Sequence, residues 1–180
     1  MSHKKLLMVC TIIIVFVVCM IVAFMIPMPI TSPSTNLTLS SSAFKDDGMI
    51  PALYTCKGGD VVPPLNISGV PKRAASLALI LEDPDTTMGT FDHWVVFNMD
   101  PKVSQIKEGE EPVGIHGKTS TGDTAYVSPC PPTGIHRYIF SLYASDMMLP
   151  LTEGATKAQV LDALKGHTIG ITKMTGKFGQ

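Results

Sequence analysis

Closely spaced metal-ligand pairs are missing from this sequence. Neither C-x-x-C nor H-x-x-x-H occurs among its four cysteines and five histidines. That argues against a zinc site, which usually takes its ligands in tight local pairs. G-x-S-x-G is absent too, so the sharp turn that presents a hydrolase serine has no sequence to build it. No internal repeat suggests a solenoid. A concentrated basic face is also lacking. All fifteen acidic residues and twelve of the fourteen basic ones lie between Leu37 and Gln180, giving that part a net charge of −3. This balance speaks against nucleic acid as a partner and against attraction to anionic lipid.

Charge of either sign is absent from Leu6 to Ile26, an almost unbroken apolar run. At a rise of ~1.5 Å per residue it spans roughly 30 Å, the thickness of a bilayer core. A globular helix would show a polar face, and this stretch has none. Lys4 and Lys5 precede it and no basic residue follows until Lys45, so the N-terminus is expected in the cytoplasm and the remainder outside it. A cleaved signal peptide is the competing reading, leaving a secreted or periplasmic protein. The run is long for one, and Val22-Ala23-Phe24-Met25-Ile26 offers no small-x-small cleavage site. A lipoprotein signal would want a small residue before the cysteine, but valine precedes both Cys10 and Cys19. The expected organisation is a membrane helix over residues 1–26, a Pro/Ser/Thr linker over 27–36 and a folded domain over 37–180.

Within the domain, strand signals dominate. Leu37-Thr38-Leu39-Ser40-Ser41 alternates apolar and polar residues. Ser76 to Leu81, Trp94 to Met99, Tyr138 to Ala144 and Thr168 to Thr172 read as further strands, separated by clusters of glycine, proline and aspartate. One helix is signalled: Thr156 can cap it, Gln159 completes a capping box, and Gly166 suits the C′ position. Strands with one or two short helices and no βαβ rhythm predict an all-β-dominated fold, an antiparallel β-sandwich. Cys56 and Cys130 fall in this domain, and outside the cytoplasm the two can form a disulfide.

Three separated segments carry the chemistry: Glu82-Asp83-Pro84-Asp85, Phe91-Asp92-His93-Trp94, and Ser128 to Tyr138. Each sits at the edge of a strand, where scaffolds commonly place binding loops. His136 and Tyr138, two apart in a strand, share one side, and Arg137 points away. An imidazole beside a phenol offers donors suited to an anion or a phosphoryl oxygen. If adjacent strands run antiparallel, Asp83 and His93 are neighbours across one connection, with Asp85 and Asp92 near by. The prolines of Cys130-Pro131-Pro132 lock the backbone into a rigid wall. Each piece also has a plainer reading, as a turn or a self-satisfied polar edge.

D-P-D, then D-H-W-V-V, then P-C-P-P-T-G-I-H-R-Y-I-F-x-L-Y-A, in this order and spacing, resembles the phosphatidylethanolamine-binding protein family, most closely its bacterial and archaeal Raf-kinase-inhibitor-like branch. Tyr54-Thr55-Cys56, Pro63-Pro64-Leu65 and Gly166-His167 add to the likeness, which covers about Leu37 to Gln180. It implies a β-sandwich with a small anion pocket at one end. Asp83 and Asp85 match the first motif, His93 the second, and Pro131, His136 and Tyr138 the third, with Cys130 at the rim. In related proteins such a pocket takes phosphate, acetate or a phospholipid headgroup.

The expected function is therefore a membrane-tethered binding module for a small anion or phosphorylated headgroup, able to modulate a protein partner, with no cofactor. Protease-inhibitor-type interaction is the alternative. Hydrolysis lacks a nucleophile motif, and a metal site built from Asp83, His93, Cys130 and His136 lacks ligand spacing.

Overall fold

A computed structural model describes residues 36–179. The expected membrane helix and all of the linker except Asn36 lie outside the described residues, among which no helix is long and apolar enough to cross a membrane. The described chain forms nine strands: β1 Thr38–Ser41, β2 Gly48–Met49, β3 Leu65–Ser68, β4 Ser76–Asp83, β5 Phe91–Met99, β6 Gln105–Ile106, β7 Ile115–His116, β8 Ile135–Ser145 and β9 Thr168–Gly179. A 3-10 turn at Ala52–Tyr54 and helix α1, Lys157–Ala163, complete the elements.

The strands make a three-stranded sheet, β1-β3-β6, and a six-stranded one, β2-β9-β8-β4-β5-β7. All pairs are antiparallel except β2 with β9. Between the sheets lies one apolar cluster, joining Leu39, Leu65, Ile67 and Ile106 to Leu77, Leu79, Leu81, Trp94, Val96, Tyr138, Phe140 and Leu142. The outer face of the large sheet buries Ala78, Ile80, Val95 and Phe97 against Leu149, Val160 and Leu164. Strands β4 and β5 are thus covered on both sides, which is why their sequences are continuously apolar rather than alternating.

Two departures from regular pairing shape β5. Leu81 pairs with Trp94, but the next residue, Glu82, pairs with Asp92. His93 is therefore an extra residue, a β-bulge. A second shift lies between the pairs Leu79↔Val96 and Leu77↔Met99, where Asn98 has φ +56°. Asparagine tolerates that left-handed backbone, and its side chain exchanges two hydrogen bonds with the backbone of Leu149, of 2.9 and 2.7 Å.

Helix α1 starts as expected. Thr156 accepts from the Gln159 amide and the Gln159 side chain accepts from the Thr156 amide, a complete capping box. Its end differs slightly from expectation: the C-cap is Leu164, so Gly166, at φ +77°, stands two residues beyond it rather than one. The strands run longer than their apolar runs. β5 begins at Phe91 and β8 at Ile135, three residues before each expected start. Sheet pairing carries the ladder through polar residues whose own strand preference is weak.

Candidate functional site

The polar ends of β4, β5 and β8 meet at one cavity of about 330 Å³. Asp83, His93, His136 and Tyr138 line it, with Phe91, Met88, Val127, Ser128, Cys130 and Pro131. Register explains the meeting. Strand β4 is central, with β8 on one side and β5 on the other, so its last residue, Asp83, lies beside the start of both neighbours. In β8, His136 and Tyr138 fall on one face, as period two requires.

His93 arrives by a different route. Trp94 belongs to the cluster between the sheets, so in a regular strand His93 would face the opposite side. The bulge removes that constraint. The imidazole lies edge-on to Tyr138, with ring centroids 5.3 Å apart, and tilted against Phe91 at 4.6 Å.

Each imidazole is fixed by a hydrogen bond from Nδ1. In His93 it donates to the Val127 carbonyl at 2.7 Å. In His136 it donates to Asp83 Oδ2, also at 2.7 Å. Both partners can only accept, so in both rings Nδ1 carries hydrogen and Nε2 remains. Burial pushes the His93 pKa below its ordinary value, and the Val127 bond and the Asp83 and Asp92 charges recover only part of that. Asp83 is only 2 % exposed, and its second oxygen accepts from the Asp85 amide at 2.8 Å. The Tyr138 hydroxyl is buried without a well-formed hydrogen bond. Its pKa is raised, first by burial, then by the Asp83 charge and by an ill-formed hydrogen bond to that carboxylate.

Asp85 is placed elsewhere. It is absent from the cavity lining, and its carboxylate grips Arg137, accepting from the backbone amide at 2.8 Å, Nε at 2.9 Å and a terminal nitrogen at 2.6 Å. Those bonds hold its pKa down at about 2. The physical reason is alternation: Arg137 points away from His136 and Tyr138, and Asp85, two residues past Asp83, meets it there. The loop Pro84 to Thr90 instead brings Thr86, Thr87 and Met88 to the cavity. Phe91, inside the second motif, and Ser128, Pro132 and Thr133, inside the third, had a sequence signal; Val127 supplies a backbone carbonyl, which no side-chain motif reveals.

The proline wall is braced from behind. Cys130 is disulfide-bonded to Cys56, with Cα atoms 5.4 Å apart. The Cys56 amide donates to the Pro129 carbonyl at 3.2 Å, and the Tyr126 hydroxyl to the Tyr54 carbonyl at 3.0 Å. The Ser128 hydroxyl donates to Asp60, and so it is not poised against either histidine. With Cys130 in a disulfide, the four-residue metal alternative loses its thiolate. His116, two residues past Gly114 and next to Gly117, is half-buried, its nitrogens 3.1 and 3.2 Å from the carbonyls of Thr124 and Pro112.

Comparison with known proteins agrees with this architecture. A UPF0098 protein of Methanothermobacter thermautotrophicus is 44 % identical over 148 residues, 79 % of this chain and 98 % of the relative. One from Chlamydia muridarum is 41 % identical over 149 residues, 80 % of this chain and 99 % of the relative. A Mycobacterium tuberculosis protein whose name marks it as a candidate lipoprotein, LppC, is 39 % identical over 155 residues, 84 % of this chain and 75 % of the relative. Among solved structures, a phosphatidylethanolamine-binding protein homologue of Chlamydia trachomatis superposes with a TM-score of 0.79 at 40 % identity, over 82 % of this chain and 99 % of the other. Escherichia coli YbcL shares the fold, with a TM-score of 0.74 at 24 % identity, over 81 % and 99 %. Residues 40–179 match the family described as phosphatidylethanolamine-binding protein, and with that match and those relatives the chain belongs to the phosphatidylethanolamine-binding protein family.

Proposed function

We propose that this chain is a binding module held outside the cytoplasm, and that its cavity takes a small oxyanion or a phosphorylated headgroup. The observation that carries this reading is the Tyr138 hydroxyl, a buried donor without a well-formed hydrogen bond, set beside two imidazoles that commit Nδ1 to the protein and keep Nε2 for a ligand. Buried polar groups are ordinarily satisfied, and a group left open in a cavity is a place for a ligand atom. His93, His136 and Tyr138 are the contacting groups, Asp83 orients His136, and Cys130 and Pro131 form the wall.

The location rests on two features. Leu6 to Ile26 has the length and composition of a membrane anchor, and the Cys56–Cys130 disulfide suits an oxidising compartment. Modulation of a protein partner is part of the same reading. Met88, 98 % exposed, puts an apolar side chain at the cavity for a partner to cover.

Calorimetric titration of inorganic phosphate into the wild-type protein and a His136→Ala variant tests the pocket. Binding by the wild type that the variant loses is expected. Equal binding by both sinks the proposal.

A further inference from the structure

We propose that the cavity selects a phosphomonoester monoanion, an oxyanion that carries its own P–OH proton, over a phosphodiester. This rests on the anion-pocket reading above and names the chemical class of its ligand.

The hydroxyls of Thr86, Thr87 and Thr133 in the lining can give or accept and so do not discriminate between ligands; the fixed groups do. With Nδ1 committed to the Val127 carbonyl, the neutral His93 ring offers only a lone pair at Nε2. Its burial opposes the second proton that would turn this atom into a donor. The Tyr138 hydroxyl is a donor. His136 holds Nδ1 on the buried Asp83 carboxylate at 2.7 Å, so Nε2 is the atom it turns to a ligand, as a donor only when the ring carries both protons. Pro131 and Pro132 have no amide hydrogen to add.

The charges point the same way. Asp83 is a buried anion within the site, and Arg137, which might have offset it, is engaged by Asp85. The other ionisable neighbours do not change the sum: Asp92, on the strand of His93, faces Lys157 at 2.5 Å, and the Tyr126 phenol, its pKa raised by burial, stays neutral. A dianion beside Asp83 would be repelled. A monoanion can accept from Tyr138 and protonated His136. What remains unmatched is the His93 lone pair, which needs a donor on the ligand. A monoester monoanion has a P–OH to give it. A diester has no such proton, and sets an anionic oxygen or an ester oxygen against the lone pair.

The test uses the full-length chain in a non-ionic detergent, with methyl phosphate and dimethyl phosphate as probes at pH 5.5, where both are mostly monoanions. The two differ by one methyl group in place of the acidic proton. Methyl phosphate is expected to bind at least about tenfold more tightly, the loss usual when a buried acceptor is left unpaired. Repeating the titration in buffers of different ionisation enthalpy counts protons. Methyl phosphate has its second pKa near 6, so at pH 7.5, where it is mostly dianionic, its binding should weaken and take up roughly one proton. Equal or tighter binding of dimethyl phosphate overturns the selection, as does methyl phosphate binding without proton uptake at pH 7.5. If neither probe binds, the anion-pocket reading itself fails, a result distinct from both. Dihexanoyl phosphatidic acid and dihexanoyl phosphatidylethanolamine distinguish lipid-borne from free monoesters. Phosphatidic acid binding as well as methyl phosphate assigns a lipid source, and weaker binding a free metabolite, both within the proposal. Preference for the phosphatidylethanolamine overturns it.

Discussion

A buried hydroxyl without a well-formed hydrogen bond costs the folded state something, and Tyr138 carries one. Tyr138→Phe should therefore leave the melting temperature equal or raise it, while weakening phosphate binding about tenfold or more, the usual worth of a hydrogen bond to a charged ligand. Thermal melts and calorimetry read the two effects separately. Asp85 makes the opposite kind of contribution. Its folded pKa, about 2 against an ordinary carboxylate value near 3.9, belongs to a group that stabilises the fold when ionised. That stability is complete above pH ~4 and is lost as pH falls toward ~2. Asp85→Asn should flatten the acid limb of a stability profile in that window. At this scale the sequence was partly readable. Period two foretold that His136 and Tyr138 share a face and that Arg137 does not. It could not foretell that Arg137 would claim Asp85, because the two are fifty-two residues apart and only the register of β4 against β8 brings them together.

Among the elements, β4 and β5 set an electrostatic problem that α1 solves. Glu82 and Asp92 are directly opposite partners in the ladder, a like-charge pair that disfavours pairing. Lys157, the first residue of α1, reaches both, at 2.8 Å from Glu82 and 2.5 Å from Asp92. Burial alone would lower its pKa, but these bonds more than offset that and hold it above the ordinary value. Lys157→Met is expected to destabilise the fold by about 2 kcal/mol, because two facing carboxylates lose their shared counter-ion. Urea denaturation measures it, and Thr156→Ala, which removes only the cap, should cost about 1 kcal/mol in the same assay. Helix α1 was legible because its cap is local. The long strands were legible from their apolar runs, but β2, β6 and β7, two residues each, were not. Their only signal is the neighbour they pair with.

Across the whole molecule, the Cys56–Cys130 disulfide ties residues separated by 74 positions. Closing so long a loop restricts the unfolded chain strongly, and the Cys56→Ser, Cys130→Ser double variant should lose roughly 2–4 kcal/mol. Because Cys130 also lines the cavity, phosphate affinity should fall with it, whereas Lys157→Met should lower stability alone. Side-by-side melts and titrations of the two variants check this. The sandwich and the family were both readable from spaced motifs. What the sequence hid was the orientation of His93, since nothing in F-D-H-W announces that one residue of the strand stands outside the ladder.

That extra residue means the scaffold and the site are written in separate reading frames. Excising Asp92 would bring β5 back into step: Trp94 would keep its place opposite Leu81, His93 would slide opposite Glu82, and the imidazole would turn to the helix side of the sheet. The core would be untouched and the site would lose one of its three ligand-facing groups. On the proposed reading, a deletion of one codon is thus enough to impair the pocket while leaving a sandwich of the same shape.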